Sequence, residues 1–129
     1  MTTELTMLLL SVGLLMLILL IQASAGILSN GLIAQAGARD DLPEKKVFHA
    51  RVTRLRDNMM ENLLLFAPVV LVANAIGISN DMTVLGAELF FYARLAHAVI
   101  YLAAIPLIRP LPFAIAWAGI IMIALQLFG

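Results

Sequence analysis

The chain has 129 residues, of which 63% are hydrophobic, with a formal net charge of zero and a mean hydropathy of +1.03. Soluble domains carry about 45–50% apolar residues, so the composition points to an integral membrane protein. At roughly 20 residues per helical span, the length leaves room for one domain of about four spans. The charge balance gives no reason to expect a nucleic-acid partner, and the absence of cysteine excludes a disulfide framework, a thiolate metal site and a cysteine nucleophile. No metal site is expected.

In chain order, the first apolar stretch predicts a spanning helix over about 5–28, interrupted only by small or weakly polar residues such as Ser11, Gly13, Gln22 and Ser24. Its leader holds Glu4 and no Lys or Arg, unlike the basic start of a cleaved signal peptide, so it is expected to stay in the mature protein. Asn30-Gly31, Gly37, Arg39-Asp40-Asp41 and Pro43 are turn and helix-stop signals and mark one long loop. A second helix is expected over about 47–76, polar in its first turns and apolar later, with Pro68 removing one backbone donor and calling for a kink or a closely packed neighbour. A short turn leads to a third helix over about 82–107, and Arg109-Pro110-Leu111-Pro112 leads to a fourth over about 111–128. No internal repeat or linker divides these 129 residues.

Six of the eight Lys and Arg residues (Arg39, Lys45, Lys46, Arg51, Arg54, Arg56) lie in the first loop and the start of the second helix, and Arg109 lies on the same side. Positive charge favours the cytoplasmic face. The first loop is therefore expected to be cytoplasmic and both termini periplasmic, in a bacterial inner membrane. Topology alone accounts for Lys45, Lys46 and Arg56.

The remaining polar residues lie in apolar sequence, where an ionisable group is costly unless it is paired or faces a cavity. At 100° per residue, Arg51, Arg54, Asn58, Glu61 and Asn62 fall on about a third of the second helix's circumference, and Arg56 points away. On the third helix Arg94, His97 and Tyr101 share a similar arc. Two such stripes are best accommodated facing each other or a shared wet cleft. Structural readings stand beside the functional one: Arg94 and Glu61 as a buried ion pair that fixes packing, His97 as a packing histidine, Tyr101 as an interface anchor. As a binding set, several cations suit more than one carboxylate, an acidic residue suits an ammonium group, and Asn and Tyr add neutral hydrogen bonds. A small zwitterionic peptide meets that description.

These residues resemble a known family, the membrane-associated proteins in eicosanoid and glutathione metabolism. The resemblance rests on Arg54-x-x-x-Asn58-x-x-Glu61, on Ala93-Arg94-Leu95-x-His97-x-x-x-Tyr101, and on Gly37-x-Arg39-Asp40 ahead of the second helix, which is similar to bacterial members. It covers essentially the whole chain. It implies an all-α integral membrane protein, a left-handed bundle of four transmembrane helices assembled as a homotrimer, with glutathione as cosubstrate in clefts between subunits. It also implies glutathione-dependent transferase, peroxidase or isomerase chemistry on lipophilic small molecules taken from the surrounding lipid, with transferase or peroxidase activity expected ahead of a prostaglandin-synthase-like isomerase. Carried over by position, Arg54, Asn58 and Glu61 hold the glutathione backbone, and Glu61 addresses its amine. Arg94 supports the site by pairing with that glutamate, Tyr101 contacts glutathione, and His97 sits where members carry histidine or tyrosine. Arg39 and Arg51 are further carboxylate contacts, and Arg109 is the candidate thiol-activating arginine.

Two departures argue against an eicosanoid specificity. Asn62 replaces an aromatic residue of leukotriene-producing members, and Asp57 stands where the prostaglandin synthase has a basic residue. The rival functions are a non-catalytic protein of the same fold that holds a lipophilic ligand, and a small transporter using Arg94 and Glu61. The almost wholly apolar first and last helices speak against the transporter.

Overall fold

Four long helices account for nearly all of the described chain, because an apolar segment in lipid can satisfy its backbone polar groups only within itself. The computed structural model describes residues 1–30, 47–103 and 110–128, and gives α1 Thr3–Asn30, α2 Val47–Ala75, α3 Asp81–Leu102 and α4 Pro110–Leu127. Each is long and apolar enough to cross a membrane, and no strand occurs among the described residues. The chain is thus an all-helical integral membrane protein. Arg39, Lys45, Lys46 and Arg109 lie outside the described residues.

Local chemistry sets the ends of the helices. Asn80 caps α3 by accepting from the backbone N–H groups of Met82 and Thr83 at 3.0 Å each, while Thr83 Oγ1 accepts from the Asn80 N–H at 2.8 Å. This reciprocal capping box satisfies donors that a helix start otherwise leaves open. After α2, Gly77 takes φ +74, a left-handed conformation that costs glycine little. Its turn lets the N–H of Ile78 reach the Ala73 carbonyl at 2.9 Å. Inside α1, Ser11 Oγ donates to the Met7 carbonyl at 2.8 Å, so this hydroxyl is satisfied within its own helix. Pro68 lies within α2, which continues past it, and nearby Phe66 stacks on Phe90 of α3 with ring centroids 3.9 Å apart.

The most extensive pairing is α3 with α4, followed by α1 with α2; α2 and α3 touch across the centre, while α1 and α4 do not meet among the described residues. Lipid removes most of the hydrophobic drive for helix association, so close packing and small residues matter more. Gly86 and Gly119 are the point of closest approach: a Cβ on Gly86 would lie 2.6 Å from the Gly119 carbonyl oxygen, and one on Gly119 would meet the Gly86 carbonyl. One apolar cluster, with Phe66, Val70, Ala87, Phe90 and Ile123, fills the half of the bundle where α1 begins. A second, with Leu14, Ile18, Val52, Leu55 and Met59, fills the other half. Buried Asn62, Arg94 and His97 lie on helix segments between the residues of these clusters.

Candidate functional site

The site forms where the polar stripe of α2 meets that of α3. Asn58 is four residues before Asn62 and so shares its helix face. Asn62 Nδ2 donates to the Asn58 carbonyl at 2.7 Å and lies 3.3 Å from Asn58 Oδ1. From α3, Arg94 Nη2 donates to Asn58 Oδ1 at 2.6 Å and sits 3.4 Å from His97 Nδ1. One turn further along α3, the Tyr101 ring stacks on His97 with centroids 5.5 Å apart, and Tyr101 Oη accepts from Arg54 Nε at 3.0 Å. The two stripes therefore face each other as their periodicity required.

Arg94 is the unusual member. It is 1% exposed, yet its Nε and Nη1 have no hydrogen-bond partner in the described structure. Guanidinium N–H groups buried without acceptors are costly, and a planar fork of donors suits a carboxylate in particular. The expected pairing of Arg94 with Glu61 does not occur within the chain. Asn58 takes the contact, because its position at the border of the buried face puts its amide oxygen within reach of Arg94, whereas Glu61 is turned to the outside and exposed.

From this buried centre the stripe emerges at the surface. Asn58 and Arg51 are half-buried, and Arg54 and Glu61 are exposed. Glu61 is fourteen residues past the start of α2 at Val47, or roughly 21 Å of helical rise, which places an exposed carboxylate well within the span. Arg56 lies elsewhere, as its angle on the helix predicts. It pairs with Asp57 at 2.7 Å and donates to Gln22 of α1 at 3.0 Å, so besides any topological role it joins two helices.

Two buried polar contacts, one at this site and one at the opposite end of the bundle, have no counterpart in the sequence pattern. Trp117 of α4 donates from Nε1 to Asn62 Oδ1 at 3.0 Å, fixing the amide that in turn meets Asn58. An indole N–H in an apolar helix usually finds an acceptor, and that was the available signal. Glu4 is buried at 3% exposure and its Oε2 accepts from Thr83 Oγ1 at 2.8 Å; the sequence offered only a lone acid near a helix start. Neither contact is visible in helical periodicity, since each joins residues far apart along the chain.

Chemically, the arrangement sets a buried cation with free donors against an asparagine amide, and places a second arginine held by a tyrosine and an exposed carboxylate on the same stripe nearer the outside. Such a set can hold a molecule that carries carboxylates and an ammonium group. No group of His, Asp and Glu able to hold a metal occurs among the described residues. In comparisons with known proteins, the family model described as the MAPEG family matches residues 5–129. No curated protein and no solved structure matches the chain.

Proposed function

The chain belongs to the MAPEG family, and from that premise we propose that it is a glutathione-dependent transferase or peroxidase acting on lipophilic electrophiles or hydroperoxides. Arg94 is the observation that carries this reading: a fully buried guanidinium that keeps two nitrogens unpartnered beside polar residues suited to a zwitterionic peptide. Arg54, Asn58 and Tyr101 hold the peptide, with Arg39 and Arg51 as further carboxylate contacts and His97 positioning the Tyr101 ring. Glu61 addresses the ammonium group.

Exposure of Arg54 and Glu61 on the single chain at membrane depth favours a neighbouring subunit as the other wall of the cleft, since lipid would leave both charges uncompensated. A homotrimer supplies that wall. The cation-rich sequence of the first loop supports a cleft mouth on the cytoplasmic side of an inner membrane, with both termini periplasmic. Arg109 is the activating cation: positive charge near a thiol favours the thiolate, the form that acts as nucleophile. The thiolate attacks the electrophile and forms a thioether as the leaving group departs. With a hydroperoxide, two glutathione molecules are oxidised to the disulfide while the peroxide is reduced to an alcohol and water.

The test is purified protein given glutathione and an aryl halide, with thiolate absorbance and turnover followed together. Wild type should show both, Arg109→Ala should lose the absorbance band, and Glu61→Gln and Arg94→Ala should bind glutathione poorly. Turnover unaffected by the last two variants removes the cleft from catalysis. Ligand binding without thiolate formation or turnover would instead identify a non-catalytic member of the fold.

A further inference from the structure

At the end of the bundle away from Arg94, the start of α1, the last turn of α2 and the turn that follows it border a partly open cavity of about 110 Å³, lined among others by Thr2, Glu4, Asn74, Ile78 and Ser79. Among the described lining residues, Glu4 alone is ionisable. Thr83 satisfies Glu4 Oε2, but Oε1 is buried and has no hydrogen-bond partner. A carboxylate oxygen in that state calls for a donor or a cation. The rest of the lining is half apolar, with Val70, Ala73 and Ile78 beside the polar residues, and Thr2 Oγ1 already accepts from the Leu5 N–H at 3.2 Å. Thr2, Asn74 and Ser79 are its neutral polar residues, and α2 ends at Ala75 beside it with the partial negative charge of a helix C-terminus, which offsets the positive start of α1 at Thr3.

We infer that this cavity is a binding site for a small monovalent cation, of the sodium or ammonium class, with Glu4 as its counter-charge. Charge balance sets the valence. One carboxylate neutralises a monovalent ion, whereas a divalent ion would leave a net positive charge beside the buried Glu4, at a cost that grows with desolvation. The volume agrees, because one water needs about 10–15 Å³ of such space and the cavity therefore admits an ion with a few of its waters. Bound there, the ion ties α1 to the turn between α2 and α3, independently of any glutathione site.

The test is thermal unfolding of the full chain in detergent, in sodium, ammonium or choline chloride at matched ionic strength, choline being a cation whose charged nitrogen is wrapped in alkyl groups and so can neither donate to Glu4 Oε1 nor be coordinated by it. Sodium or ammonium should raise the midpoint by roughly 3–5 °C over choline, and equilibrium dialysis with radioactive sodium should find one site per chain. Glu4→Gln should lose both effects. Asn74→Leu, a change at an exposed residue that removes an oxygen and fills space, should lose them too and decides the matter if Glu4→Gln does not fold. Equal midpoints in all three salts for the wild type, or an undiminished increment in the variants, overturns the site.

Discussion

The two ends of this bundle both bury polar side chains, and they use them differently. Where α1 begins, Glu4, Thr83, Asn80 and Gln126 bond to one another across α1, α3 and α4, with Asn80 Nδ2 donating to Gln126 Oε1 at 3.1 Å. Where α2 meets α3, Asn58 and Asn62 are well satisfied, but Arg94 keeps two buried nitrogens without partners. Mutually satisfied polar groups specify how helices pack. Donors left open in a protein interior mark a place for something the chain does not itself supply. Glu4 Oε1 is the exception at the first end, and there too the open atom borders a cavity.

The contrast can be broken most sharply at the helix crossing. Gly86→Val places methyl groups against the Gly119 backbone and should cost about 3 kcal/mol of stability, read as a lower unfolding midpoint, while the surviving folded fraction keeps its affinity for glutathione. A loss of affinity without a loss of stability would mean that the crossing belongs to the site. Arg94→Met should do the reverse. Glutathione affinity by calorimetry should fall about 10–100-fold, the scale of a lost hydrogen-bonded charge, with the midpoint held or raised because an unsatisfied buried charge has gone. A large drop in stability with unchanged affinity would make Arg94 a packing residue.

Smaller effects sharpen the boundary between the two regions. Trp117→Phe keeps an aromatic ring, though a smaller one, and removes the donor to Asn62, so it should cost about 1 kcal/mol and weaken glutathione binding a few-fold. An unaltered KM for glutathione would detach Trp117 from the site. Arg56→Gln should change stability by less than about 0.5 kcal/mol, since its pair with Asp57 is partly exposed and such pairs contribute little. A strong loss of glutathione turnover in that variant would extend the site toward α1.

The sequence made the fold legible because lipid leaves so few choices. Apolar length gave the four spans. Helical spacing correctly separated Arg56 from Arg54 and Asn58, and it put Arg94, His97 and Tyr101 on one face. It could not say which residue meets which. Arg94 bonds to Asn58 and not to Glu61 within the chain, although both lie on the stripe, because reach across two packed helices depends on their relative rotation and depth. Trp117 and Glu4 were missed for the same reason: their partners are 55 and 79 residues away.

The sequence by itself determined that this is a four-span membrane protein with two polar helix faces, because hydrophobicity and the helical repeat are properties of consecutive residues. Only the tertiary structure decided which polar atoms are satisfied and which are left open. Hydrogen bonding is short-ranged and directional, so a tilt or slide of one helix by an ångström or two changes an orphaned guanidinium into a paired one. The open donors of Arg94 and the open oxygen of Glu4 are products of that packing.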